Sequence, residues 1–136
     1  MRLQALLVKH EGVRHTIYQD SIGIPTIGVG HNLNKPLSNE AVEQILKDDI
    51  ADAKRDAESF PWFSRLDDVR QAVVIDMLFN MGLSRFKGFK RMISHIAAGT
   101  YSAAALEMLD SLWAKQVGKR AEELAEMMRS GQWSDA

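Results

Sequence analysis

The chain has 136 residues, 17 lysines and arginines against 18 aspartates and glutamates, and no cysteine, so its formal net charge is −1. That length predicts one domain able to build its own core, and the 46% hydrophobic and 26% charged content is the balance of a globular chain, not a disordered one. Disulfides and cysteine-ligated metals are excluded, and no apolar run approaches the about 18 residues of a membrane span. The start, Met1-Arg2-Leu3-Gln4, has no apolar stretch of a secretory signal, and the near-zero charge is not that of a dedicated nucleic-acid binder.

In chain order, residues 3–11 read as a short amphipathic helix, with Leu3, Leu6, Leu7 and His10 on one face and Gly12 positioned to end it. Residues 16–34 change character. Ile17 and Tyr18 favour strands, and Gly23, Pro25, Gly28 and Gly30 are bend residues, so a small β-hairpin or three short strands is predicted. Ser38 can cap a helix carrying Val42, Ile45, Leu46, Ile50 and Ala53 on one face, interrupted at Phe60-Pro61-Trp62. Residues 67–81 are apolar nearly all round, which predicts the buried central helix, ended by Gly82. Short helices are expected at 84–87 and 89–98, then one capped by Ser102 and running to Gln116, then a last one over 119–129 stopped by Gly131. The expected class is α+β and mainly α: a small N-terminal β-hairpin lobe, a larger C-terminal helical lobe, and a cleft between them. Residues 12–35 would form the first lobe, 1–11 and 60–136 the second, and 38–58 the connecting helix.

The near-zero net charge conceals an asymmetry. Residues 40–58 carry seven acids and three bases, whereas 85–120 carry seven bases and two acids. Such runs are either solvated faces or, for the second segment, a positive lobe that attracts an anionic polymer.

The chemistry concentrates between Glu11 and His31. Glu11 closes the first helix, Asp20 follows in or beside a turn, and Thr26 stands in Pro25-Thr26-Ile27-Gly28-Val29-Gly30-His31. A helix end and a hairpin turn can place two carboxyls across one cleft, the minimum equipment for acid/base glycoside hydrolysis. Glu11, at the negative end of a helix dipole and near apolar residues, suits the acid. Asp20, flanked by Gln19 and Ser21, suits the base, and the Thr26 hydroxyl could hold a water beside it.

The pattern E-G-x-x-x-x-x-Y-x-D-x-x-G-x-x-T-I-G-x-G-H, filled at every fixed position by residues 11–31, resembles the phage-type, T4-like lysozymes and endolysins of glycoside hydrolase family 24. The resemblance continues through Leu66–Arg70, Asp76–Gly82, Gly88-Phe89, Trp113 and Arg120-Ala121, and this chain is compact where the family's best-known member has an extra helical segment after His31. It implies a lysozyme-like two-lobe fold and hydrolysis of the β-1,4 bond between N-acetylmuramic acid and N-acetylglucosamine in peptidoglycan, by inversion. It places the general acid on Glu11, the base on Asp20 and the water-holding threonine on Thr26. The arginine that contacts the acid falls on Arg120, and a structural pair falls on His31 and Asp49, with Asp48 the second choice. Saccharide contacts fall on Asn32, Phe79, Asn80, Met92 and Glu107, of which Asn32, Met92 and Glu107 depart from the family's residue types.

The resemblance further implies a monomer that uses no cofactor, binds bacterial peptidoglycan but neither nucleic acid nor membrane, and is made in a host cytoplasm. A separate holin would release it to the wall. A lytic transglycosylase or a non-catalytic wall-binding module are the alternatives. No metal site is expected, because His10, His15, His31 and His95 lack metal-ligand spacing. The methionines and Trp113 and Trp133 are expected in the core, and Tyr18 either packs the hairpin or stacks on sugar.

Overall fold

The computed structural model describes residues 2–134. Helix α1 spans Arg2–Glu11, followed by strands β1 (Arg14–Gln19), β2 (Pro25–Gly28) and β3 (His31–Asn32). Helix α2 (Asn39–Glu58) and a 3-10 turn at Phe63–Arg65 lead to α3 (Asp68–Met81), α4 (Leu83–Lys87), α5 (Lys90–Ala98), α6 (Tyr101–Leu109), α7 (Leu112–Val117) and α8 (Lys119–Ser130). The fold is α+β and mainly helical. It divides into two compact units, one up to Glu43 and the other from Gln44 onward.

The first unit holds α1 and the sheet. Gly12, at φ +74°, ends α1, its N–H donating to the Val8 carbonyl at 2.8 Å. The sheet has the order β1-β2-β3 and is antiparallel throughout. Tyr18 faces Thr26, Thr26 faces Asn32, and the β1–β2 register shifts between Arg14 and Tyr18. The predicted apolar stripe of α1 is not buried: Leu3, Leu6 and Leu7 are exposed, as is His10. A segment this short cannot enclose a core, and Thr26 is its one buried side chain among the described residues.

The second unit holds the core. Met77, Val73 and Val74 of α3 are fully buried with Phe86, Ile96, Met108 and Met128, so α3 is the central helix that its composition predicts. Asp67 caps it, its carboxylate accepting from the Arg70 N–H at 3.2 Å. Ser38 caps α2 as expected, yet only Ala53 and Ala57 of that helix are buried. Val42, Ile45, Leu46 and Ile50 remain exposed. The long helix expected from Ser102 to Gln116 is two helices instead. Ser111 breaks it, donating to the Met108 carbonyl at 2.7 Å and accepting from the Ala114 N–H at 3.1 Å. One hydroxyl thereby closes α6 and opens α7. Trp113 is buried as expected, but Trp133, beyond the Gly131 stop of α8, is 62% exposed.

Arg70 ties three helix ends together. Its Nε donates to the Met128 carbonyl at 2.7 Å and one terminal nitrogen donates to the Arg129 carbonyl at 3.0 Å, satisfying the open end of α8. The other terminal nitrogen pairs with Asp67 at 3.1 Å, and the guanidinium lies 3.8 Å over the Tyr101 ring at the start of α6. Arg70→Ala should therefore destabilise the chain by about 3 kcal/mol, read as a fall of about 10 °C in Tm by calorimetry. Arg70→Lys should recover little, because an ammonium cannot fork across two carbonyls and a carboxylate. An unchanged Tm in Arg70→Ala would remove this role.

Candidate active site

Strand β2 is the template of the site. The turn before it carries Asp20, and the turn after it carries Gly30. Asp20 is held by its own turn: its Oδ1 accepts from the N–H groups of Ile22 and Ile24, both at 2.9 Å. Its N–H donates to the Ile24 carbonyl at 3.0 Å, and its carbonyl accepts from the Gly23 N–H at 3.0 Å. This is an Asx-type turn, for which an aspartate followed by Gly23, at φ +85°, is the fitting sequence.

Thr26 is locked to the same carbonyl. Its hydroxyl donates to the Ile24 oxygen at 2.8 Å, so Asp20 and Thr26 share one acceptor and move as one hydrogen-bonded group. The Thr26 hydroxyl has spent its single hydrogen there and can meet a further group only as an acceptor. Oδ2 of Asp20 takes no part in the turn.

Glu11, exposed at the end of α1 and not enclosed by apolar neighbours, lies against the turn at the far end of β2. A β-carbon built on Gly30 would stand 2.7 Å from Glu11 Oε2 and 3.0 Å from its carboxyl carbon. The carboxyl thus rests on the bare face of a glycine, which is the one residue that fits there at φ +67°. The two carboxyls therefore bracket a four-residue strand, whose span is about 10 Å at about 3.3 Å per residue.

The remaining candidates of the first unit have local roles. Asn32 lies opposite Thr26, its Oδ1 accepting from the Asn34 N–H at 2.8 Å. His31 pairs with Ile27 in the sheet, and its Nε2 is buried without a hydrogen-bond partner among the described residues. Tyr18 is half-buried with the Arg14 guanidinium 4.8 Å over its ring.

In the second unit, Asp49 is exposed on α2, and Asp48 accepts from Gln44 at 2.9 Å. Arg120 pairs with Asp76, its Nε donating to Oδ1 at 2.9 Å and a terminal nitrogen lying 2.7 Å from the same oxygen. Both partners are about two-fifths exposed. Phe79 is exposed at the end of α3. Asn80, Met92 and Glu107 come together around a cavity of about 870 Å³. Met92 is only 1% exposed, so it belongs to the core beneath that cavity and offers a ligand little surface. Asn80 Oδ1 accepts from Trp113 Nε1 at 2.8 Å, which fixes the amide at the cavity wall.

Three features escape a reading of the sequence. Gly30 is the seat of Glu11, signalled only by its glycine-rich turn. Asp76 is the partner of Arg120, across 44 residues of chain. The cavity itself assembles side chains from five helices, α3 to α7, which no local spacing reveals. Among the described residues, no group of three or more histidines and acids stands close enough to hold a metal, and no helix is long and apolar enough to cross a membrane.

A mainly helical chain with a small three-stranded antiparallel sheet near its N-terminus is an α+β fold of the lysozyme-like kind. The phage lysozyme family matches residues 8–130, and the chain belongs to that family. It is 28% identical to the pre-baseplate central spike protein Gp5 of Enterobacteria phage T4, over 96% of this chain but only 28% of that protein's length. It is 25% identical to a probable T4-type lysozyme 1 of Dictyostelium discoideum, with 95% of this chain and 94% of the relative covered. It is 33% identical to an endolysin of Salmonella phage P22, with 83% and 80% covered.

Proposed function

We propose that the chain is a peptidoglycan hydrolase of the N-acetylmuramidase type, cleaving the β-1,4 bond between N-acetylmuramic acid and N-acetylglucosamine by single displacement. The observation that carries this reading is the shared Ile24 carbonyl, which binds Asp20 and Thr26 into one group at one end of β2 while Glu11 rests at the other.

Glu11 delivers its proton to the glycosidic oxygen as the bond to the leaving sugar breaks. A water lodged beside Thr26 donates one hydrogen to the threonine oxygen and the other to Asp20 Oδ2. Its lone pair then points outward, at the anomeric carbon. As the water attacks, Asp20 takes its proton, and the product is a reducing end of inverted configuration. Single displacement needs the two carboxyls about 6.5–9.5 Å apart, with room for that water, whereas a covalent intermediate needs them about 5–5.5 Å apart. Arg120, held by Asp76, is assigned to the acid on family grounds, and Asn32, Phe79, Asn80 and Glu107 to the glycan. His31 with Asp49 is assigned a structural pairing. The protein acts as a monomer without a cofactor, on the wall of a bacterium in whose cytoplasm it is made, after a separate holin admits it.

The test is product analysis on purified peptidoglycan. Hydrolysis releases reducing muramic ends, and a fresh digest read by NMR shows the inverted anomer first. Anhydro-muramic ends would instead establish a lytic transglycosylase, and binding without any new ends a non-catalytic module. Either result overturns the reading.

A further inference from the structure

A second cavity of the helical unit, of about 190 Å³, shares no residue with the first. Trp62, Arg65 and Leu66 line it from around the 3-10 turn, together with the last turn of α5 and Tyr101 at the start of α6. None of these residues is assigned to hydrolysis.

Two donors there lack partners. The Trp62 ring stacks on Phe60 at 4.9 Å between centroids and is only 6% exposed. A buried indole N–H ordinarily finds an acceptor, as that of Trp113 does in Asn80. The Trp62 N–H has none among the described residues, yet it is not sealed from solvent as His31 Nε2 is. Arg65 is exposed, and its guanidinium likewise meets no acceptor among the described residues.

The end of α5 supplies the opposite chemistry. The N–H groups of Gly99 and Thr100 turn back to the carbonyls of Ile96 and His95, at 3.1 and 2.9 Å. The Ala97 and Ala98 carbonyls therefore accept from no described residue. Leu66, Ile96 and the Tyr101 ring, which Arg70 covers on one face, make the wall apolar. Donors, acceptors and an apolar wall around so small a space match a secondary amide that ends in a methyl. A carboxylate would leave the carbonyls unused, and a sugar bearing only hydroxyls would leave the apolar wall unused. On the reading proposed above, the wall polymer carries such an amide, the acetamido group, on its sugars.

We infer that this cavity is a second glycan site, which takes the acetamido group of an N-acetylated amino sugar. The amide oxygen accepts from Trp62 Nε1 and Arg65, the amide N–H donates to the Ala97 or Ala98 carbonyl, and the methyl rests on Leu66 and Ile96. A weak site of this kind keeps the enzyme on an insoluble polymer between cuts, because a second attachment raises the affinity of the whole.

The experiment titrates the full chain with N-acetylglucosamine, glucose and acetate, read by NMR at the Trp62 indole N–H. The cavity is smaller than the roughly 300–1,000 Å³ of drug-sized sites, so N-acetylglucosamine should shift that signal saturably with a Kd of about 1–10 mM. Glucose and acetate should leave it in place. Arg65→Gln, a change at an exposed side chain, should weaken the sugar about tenfold without altering Tm. No shift at the indole, an equal shift by glucose or by acetate, or unchanged affinity in Arg65→Gln would each overturn the inference. The monosaccharide has no glycosidic bond to cut, so this result stands apart from product analysis: either reading can fail while the other holds.

Discussion

Glu11→Gln should lower cell-wall lysis by about a thousandfold, measured as the loss of turbidity of a wall suspension, while far-UV circular dichroism and Tm stay unchanged. The magnitude is that of a missing general acid, about 10²–10⁴-fold. The substitution isolates chemistry from structure because glutamine has the shape of glutamate. It can rest on the same face of Gly30, and among the described residues the Glu11 side chain has no hydrogen bond whose loss could unfold the site. The amide has no proton to give at ordinary pH, so the glycosidic oxygen leaves as a poor leaving group. Asp20→Asn is the matched partner. Asparagine keeps an acceptor oxygen for the Ile22 and Ile24 N–H groups, so the turn survives, yet it cannot take a proton from water. Asp20→Ala is the poorer choice, since it strips both N–H groups of their acceptor and mixes a folding defect with the catalytic one. Lysis retained by Glu11→Gln would remove the acid/base assignment altogether.

What the sequence made legible follows from how local each feature is. Gly12, Gly82, Gly99 and Gly131 all take positive φ at helix ends, and a glycine at a helix end is a local signal. The β region was readable for the same reason, because Gly23, Gly28 and Gly30 forbid a helix on their own account. The Glu11–Asp20–Thr26 group was readable because all three sit within one short hairpin segment and repeat the motif of a known family. The break at Ser111 is not legible, since a serine inside an apolar periodic run gives no sign of breaking it, and its hydrogen bond to Met108 decides the matter. The exposed face of α2 misled for the opposite reason. Periodicity shows that Val42, Ile45, Leu46 and Ile50 share a face, but not what, if anything, packs on it. Asp76 with Arg120, and the side chains around the larger cavity, are joined only by tertiary packing, so no spacing rule reaches them.

Gly30→Ala should cut the turnover rate by about a hundredfold, with KM little changed, and the reason is distance. The new β-carbon would stand 2.7 Å from Glu11 Oε2 and 3.1 Å from its Cγ, so the whole carboxyl has to move by several tenths of an ångström or more. A misplacement near 1 Å at a reacting group costs on the order of 10²-fold. Backbone strain accompanies it, since alanine at φ +67° costs about 1 kcal/mol. Gly28→Ala separates the two effects. That residue lies at φ +71°, so it carries the same strain, but a β-carbon there meets nothing within 4 Å. Both variants should lose a similar few degrees in Tm, while only Gly30→Ala should lose turnover on purified peptidoglycan. The loss should fall on kcat, because the glycine positions the proton donor and does not hold the glycan. Equal activity of the two variants would mean that Glu11 does not depend on this seat, and that the close approach at Gly30 is a matter of folding alone.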